Sequence, residues 1–177
     1  AVSCICAGLK ADIIKRNIPE SKIFVTPNAV DINNFVPSYQ RDSELEQTFN
    51  LSGKKVIAFV GTFFKYEGLS YAIEAMEIIA KTRDDIHLLL VGAGNELDNL
   101  KQQVNQANLE QSVTFVGRVP FEQVSRYYSL ADVMVNSCYK WLLATHGVGI
   151  MYVNPERLPD MQPPVLGWHS IETSTDW

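Results

Sequence analysis

Three observations predict an α/β fold built on a doubly wound, Rossmann-like parallel sheet. A strand–helix alternation repeats three times between Lys54 and Tyr128. The strands are continuous apolar runs, such as Val56-Ile57-Ala58-Phe59-Val60, the pattern of strands covered on both faces. Each of the first three runs closes in a glycine, Gly61, Gly92 or Gly117, and short turns between alternating strands and helices mean right-handed parallel crossovers. The 177 residues suit roughly one domain.

Taken in order, residues 8–17 place Leu9, Ile13 and Ile14 on one helical face and end before Pro19. Ile23-Phe24-Val25-Thr26 reads as a strand stopped by Pro27-Asn28. Asp31 to Gly53 is polar, carries Pro37 and two charge clusters, and has only a weak helical pattern near Leu45 and Phe49; it reads as a connector. After the strand at 56–60, Leu69, Ala72, Ile73, Met76, Ile79 and Ala80 recur at three- and four-residue spacing, the stripe of an amphipathic helix. The second unit is a strand from Ile86 to Val91 and a helix facing inward with Leu97, Leu100, Val104 and Ala107. The third is a strand from Val113 to Val116, a Gly117-Arg118-Val119-Pro120 turn and a helix using Val124, Tyr127 and Tyr128. Asp132-Val133-Met134-Val135 is the fourth strand.

The rhythm then breaks. The linker to the apolar run at 148–153 is about a dozen residues, the lower bound for a parallel crossover, and holds an apparent helical turn at Tyr139 to Leu143. An antiparallel edge strand is therefore predicted. Pro155, Pro159, Pro163 and Pro164 then predict an irregular tail, with Trp168 and Trp177 packing part of it down. The organisation expected is an amino-terminal helix, strand and connector over 1–53, a doubly wound domain over 54–136, and a distinct segment over 137–177.

Composition narrows the function classes. With 46% hydrophobic and 20% charged residues the chain is not disordered. A net charge of −5 argues against a sequence-wide nucleic-acid footprint but leaves room for a local anion site. No apolar run approaches the ~20 residues needed to span a bilayer, and no basic stretch precedes the apolar start, which argues against a signal peptide. Cys4, Cys6 and Cys138 are odd in number and lack paired CxxC spacing, so neither a disulfide framework nor a metal site is expected. A cytoplasmic location fits these features.

Ligands of doubly wound sheets sit outside the carboxyl ends of the strands, here just after Val60, Val91, Val116 and Val135. Glycines at those points allow close backbone approach, and helix N-termini offer amides to an anion, which together suit a phosphate-bearing ligand. Ordinary turn chemistry accounts for the same glycines. Gly92-Ala93-Gly94 lacks the third glycine of the dinucleotide motif and follows the second strand, which argues against NAD. Lys65 and Arg118 are cations positioned to meet phosphates; the alternative is that Glu67 and Glu122 neutralise them in surface pairs.

Six blocks carry a family resemblance: Pro27-Asn28-Ala29-Val30-Asp31 with Phe35 and Pro37; Val60-Gly61-Thr62-Phe63 to Tyr66-Glu67-Gly68-Leu69; Ala72 to Ala75-Met76; Leu88 to Gly94; Val113 to Val119; and Tyr127-Tyr128 to Ala131-Asp132-Val133. In this order they resemble the nucleotide-sugar half of GT-B glycosyltransferases of the glycosyl transferases group 1 type, over residues 1–136. The resemblance implies sugar transfer from a nucleotide diphosphate sugar with retention of configuration and usually without a required metal. It implies donor contacts at Gly61, Thr62, Lys65, Glu67 and Gly68 against the diphosphate, at Gly92 and Gly94, and at Arg118 and Val119 near the base. Thr62 and Glu67 stand where the family commonly has basic residues, with Lys65 as the substitute, and Ala29 replaces a usual glycine. The family's paired glutamates after the fourth strand have no counterpart, since Glu156 and Glu172 are the only glutamates in 137–177. An acceptor-binding amino-terminal domain is implied outside this sequence.

Residues 132–177 resemble something else. Asp132 through Leu143, then His146-Gly147-Val148-Gly149, Tyr152-Val153, Gln162-Pro163 and Gly167-Trp168 look like the cofactor-lysine region of class V aminotransferases. That resemblance implies Lys140 as the residue that binds pyridoxal phosphate, the family's cofactor; the other cofactor contacts of that family lie upstream, where this chain is glycosyltransferase-like. The expectation is a truncated or chimeric donor-binding domain, with the pyridoxal-phosphate protein and an inactive scaffold as alternatives. The join at Ala131 to Ser137 is compatible with a chimera, an assembly artefact or a natural fusion.

Overall fold

Side chains alternate across a strand, so a run apolar at every position needs a packed layer on each face. The computed structural model describes residues 1–27, 29, 40–137 and 149–160, in two units, 1–36 and 37–177.

In the first unit β1 (Val2–Cys4), α1 (Ala7–Lys15) and β2 (Ile23–Val25) form a small βαβ motif. The strands pair parallel from Val2↔Ile23 to Cys4↔Val25. β1 is not among the strands the sequence predicts, because three residues are too few for a periodic signal. Cys4 and Ile23 are buried, whereas α1 buries no residue and Leu9, Ile14, Phe24 and Val25 stay exposed.

The second unit begins with α2 (Ser43–Thr48), followed by β3 (Lys55–Thr62), α3 (Leu69–Ile79), β4 (Ile86–Ala93), α4 (Leu97–Gln106), β5 (Val113–Gly117), α5 (Val124–Tyr128), β6 (Val133–Ser137) and β7 (Gly149–Val153). Among the described residues the sheet order is β5-β4-β3-β6-β7. β3 and β4 run in parallel register from Lys55↔Ile86 to Thr62↔Ala93, and β5 and β6 extend the parallel sheet to either side. β7 joins antiparallel, from Val133↔Val153 to Ser137↔Gly149. The α/β class and the antiparallel edge are thus as expected.

Each face has its own core. Phe59, Leu88 and Leu90 pack against Ile73 and Met76 of α3 and Leu100 and Val104 of α4. On the other face Val56, Ala58, Leu89 and Val91 pack against Leu45, Leu51, Tyr127 and Leu130. Residues 40–53 are not the connector that their sequence predicts, but part of the folded unit. Within residues 40–53 there is a helix, capped by Asp42, whose carboxylate accepts from the Leu45 N–H at 3.0 Å, and Leu45 and Leu51 belong to the core.

An ion-pair network closes the amino-terminal edge of the sheet. Asp132, 1% exposed, accepts from the Val56 N–H at 2.7 Å and from Arg41 Nη2 at 2.5 Å. Arg41 also donates to Glu46 Oε1 at 2.8 Å and to the Leu51 and Lys54 carbonyls at 3.1 and 2.8 Å. In the turn after β7, Arg157 donates to the Ser129 and Ala131 carbonyls at 2.8 and 3.2 Å and lies 3.7 Å from Asp132 Oδ1. The first part of the tail is therefore pinned to the sheet. The predicted turn at Tyr139 to Leu143, Trp168 and Trp177 lie outside the described residues. Among those described, no helix is long and apolar enough to cross a membrane.

Candidate functional site

β3, β4 and β5 run parallel and end side by side, and the chain leaves their carboxyl ends around a cleft of about 310 Å³. Its floor is backbone at Gly61, Thr62, Gly92 and Ala93. Val60, Val119 and Val124 give apolar wall, and among the described residues Arg118 supplies the only charged side chain lining it. The combination suits a ligand with a flat apolar part and an anionic part.

The loops after β3 and β4 are joined. Phe63, fully buried, donates its N–H to the Ala93 carbonyl at 3.1 Å and accepts from the Glu96 N–H at 3.2 Å. A Cβ at Gly94 would overlap the Phe63 backbone, and one at Gly92 would overlap the Gly61 carbonyl oxygen, with Gly92 also held at φ +134°. Gly92 lines the cleft, but what forbids a side chain there is its positive φ and the close approach of its strand partner Gly61 at the ends of β3 and β4. Gly94 does not line the cleft, and the overlap with the Phe63 backbone accounts for it.

Lys65 and Glu67 bound a single 3₁₀ turn, and Gly68 is the N-cap of α3. α3 carries no acidic residue in its first turn, so its positive end is left uncompensated by its own side chains. These three residues belong to the loop beside the cleft and do not line it. Among the described residues neither Lys65 nor Arg118 forms an ion pair, and the pairing with Glu67 and Glu122 is not what the structure contains. Residues two apart do not face each other on a helical turn, and Pro120 redirects the chain between Arg118 and Glu122. The other four arginines of the unit, Arg41, Arg83, Arg126 and Arg157, each meet a carboxylate. Among the described residues Arg118 is the exception.

Sequence reasoning missed Phe63 and Val124. The first looks like a strand end and the second like core; only the topology brings Val124 of α5 to the cleft. No group of three His, Cys, Asp or Glu side chains among the described residues is arranged to hold a metal ion.

The family model for "Glycosyl transferases group 1" matches residues 40–154, well over half of the sequence. The chain belongs to the glycosyl transferases group 1 family. An uncharacterized glycosyltransferase of Haemophilus influenzae is 35% identical over 79 residues, covering 45% of this chain and 22% of that protein. The GDP-mannose-dependent alpha-(1-6)-phosphatidylinositol monomannoside mannosyltransferase of Mycobacterium tuberculosis is 24% identical over 132 residues, 75% of this chain and 33% of that protein. Among solved structures, Anabaena Alr3699/HepE in complex with UDP-glucose superposes with a TM-score of 0.56 at 21% identity, covering 74% of this chain and 36% of that one. The C-terminal domain of the Francisella tularensis group 1 protein LpcC gives 0.51 at 27% identity, covering 60% and 57%. The group 1 chain thus spans about a third or less of the two curated relatives.

The group 1 match continues to residue 154, through much of the segment that the sequence likens to a class V aminotransferase. Nothing found supports that second resemblance, a pyridoxal-phosphate site or a chimera. Lys140 lies outside the described residues.

Proposed function

We propose that this chain is the nucleotide-sugar-binding part of a group 1 glycosyltransferase, with the cleft at the carboxyl ends of β3, β4 and β5 as the seat of the nucleoside diphosphate. The observation that carries this is Arg118, an arginine without a carboxylate partner among the described residues, on the wall of a cleft otherwise made of valines and glycine-rich backbone. In this reading the base lies between Val119 and Val124, and Arg118 faces it or the phosphates. The loop from Gly61 to Gly68, with Thr62, Lys65, Glu67 and the amino end of α3, lies along the diphosphate. Gly92 and Gly94 act indirectly, by letting the ends of β3 and β4 and the loops after them approach closely. Complexes of a structural neighbour with UDP and UDP-glucose support a nucleotide sugar as the ligand class.

An acceptor-binding domain belongs to the same proposal. A two-stranded parallel sheet is marginal alone, and α1 leaves Leu9 and Ile14 exposed, which suits a βαβ motif that continues a larger parallel layer. Without it the chain binds donor and does not turn it over.

Titration with UDP and GDP, followed through the amide resonances of Gly61, Lys65 and Arg118, tests the reading. Local shifts at all three are expected, with affinity lowered about tenfold or more in Arg118→Ala, the size of a lost charge-assisted hydrogen bond. Unchanged spectra at millimolar nucleotide reject it.

A further inference from the structure

Two of the three cysteines stand two residues apart at the joint between β1 and α1, in the amino-terminal unit. Cys4 closes β1 and is 7% exposed; Cys6 is half-buried and is the residue from which α1 starts. Both are free thiols. Residues two apart are at most about 6.6–7.2 Å from Cα to Cα, and a disulfide spans up to about 6.8 Å, so what decides whether such a pair can join is where the sulfurs lie. The chain bends at Ile5 and Cys6 instead of running on as a strand. Cys4 Sγ lies 3.6 Å from the Cys6 carbonyl oxygen and 3.6 Å from that of Phe24, so the buried sulfur sits against the residue that carries the second one. Cys6 Sγ is 3.9 Å from where a Cβ on Gly8 would stand, over the first turn of α1. The backbone bonds at the joint do not involve either sulfur. The Thr26 N–H donates to the Cys4 carbonyl at 2.8 Å and the Lys10 N–H to the Cys6 carbonyl at 3.1 Å.

We propose that Cys4 and Cys6 form an oxidation site, a pair of thiols that a peroxide converts into a reversible disulfide within the chain. Cys6, the more accessible of the two, reacts first. Its sulfur attacks one peroxide oxygen and the O–O bond breaks; Cys6 becomes a sulfenic acid, and the departing hydroxide takes up the thiol proton as water. The Cys4 sulfur then attacks the Cys6 sulfur, the S–S bond forms, the S–O bond breaks, and a second water leaves with the Cys4 proton. The two sulfurs together lose two electrons and the peroxide gains them. Burial keeps Cys4 from meeting the oxidant directly, and its closeness to Cys6 diverts the sulfenic acid from further, irreversible oxidation. No nucleotide takes part, so the proposal stands apart from the donor-binding reading.

The test uses the 177-residue chain with Cys138→Ser, which leaves Cys4 and Cys6 as its two thiols. The folded chain is treated with hydrogen peroxide, unfolded in the presence of an alkylating agent, and weighed intact. A monomer lighter by two hydrogens is expected, with neither thiol open to alkylation, the link mapped to the segment from Ala1 to Lys10, and both thiols recovered with dithiothreitol. In the same background Cys4→Ser and Cys6→Ser each lose that product. Cys4→Ser gains oxygen at Cys6, and Cys6→Ser reacts about tenfold more slowly because its remaining thiol is buried. Limiting iodoacetamide on the untreated folded chain labels Cys6 before Cys4. Oxygen added at Cys6 while Cys4 stays open to alkylation overturns the proposal, as does a disulfide formed only between two chains or labelling of Cys4 as fast as Cys6.

Discussion

Replacing Asp132 tests whether the amino-terminal edge of the sheet is held by charge. Its carboxylate accepts from the Val56 N–H and from Arg41, with Arg157 at 3.7 Å, and is 1% exposed. Asp132→Ala leaves the Val56 N–H without its acceptor and two guanidinium groups short of their shared carboxylate. Removing one partner of a buried pair costs about 3–5 kcal/mol, because the other charge stays buried. Arg41 keeps Glu46 and two carbonyls, which places Asp132→Ala near the lower end, about 3 kcal/mol, and Asp132→Asn at about 2 kcal/mol. Urea unfolding followed by far-UV circular dichroism measures both. A cycle with Arg41→Met isolates the pair, and a coupling of about 1 kcal/mol or more is expected. A loss below about 1 kcal/mol in Asp132→Ala, or strict additivity with Arg41→Met, refutes the reasoning.

Three further outcomes follow from the same structure. Gly94→Ala puts a methyl into the Phe63 backbone and is expected to cost about 2–3 kcal/mol in a thermal or urea melt, whereas Gly53→Ala, where nothing lies within 4 Å, costs about 1 kcal/mol from its φ of +74° alone. Asp42→Ala removes the cap of α2 and the carboxylate facing Arg126, and should lower stability by about 1–2 kcal/mol. His87 is 5% exposed and its Nε2 lies 2.9 Å from Thr114 Oγ1; burial, with a smaller contribution from the charge of Lys54, lowers its pKa from 6.5 to about 4. The unfolded chain therefore takes up a proton that the folded one refuses. Stability from this group is fully present above pH 6.5 and is lost toward pH 4 at up to about 1.4 kcal/mol per pH unit. His87→Gln should flatten that slope, and an unchanged slope counts against the burial argument.

The middle of the fold was legible because its signals are local. β3 and β4 are uninterrupted apolar runs, and α3 repeats its apolar positions at helical spacing, so each element declares its period within a dozen or so residues. The antiparallel β7 was legible from length, since the linker before it is barely enough for a crossover. β1 and α2 are too short to declare a period. α2 is recognisable only once Leu45 and Leu51 are seen against Ala58 and Leu89, and once Arg41 is seen to reach Asp132, a contact no sequence window contains. The segment after β6 misled in another way. A string of residues there resembles a second family, although the group 1 pattern runs on to residue 154.

For the candidate site the sequence located the edge and misjudged the reasons. Strand-ending glycines pointed to the carboxyl ends, where the cleft lies, yet Gly92 and Gly94 are excluded from having side chains by Gly61 and Phe63. What sets that edge apart is a contrast in charge pairing that a net charge of −5 conceals. At the opposite edge Arg41 and Arg157 converge on Asp132, and Arg126 is held by Asp42 and Glu44. Those cations are committed to the fold, and removing one should cost stability. Arg118 and Lys65 have no such commitment among the described residues, so removing either should leave the melt unchanged within about 0.5 kcal/mol, the usual range for exposed substitutions. If Arg118→Ala instead destabilised the chain as Arg41→Met is expected to, the cation would be structural, and the cleft would lose the feature that singles it out for a phosphate-bearing ligand.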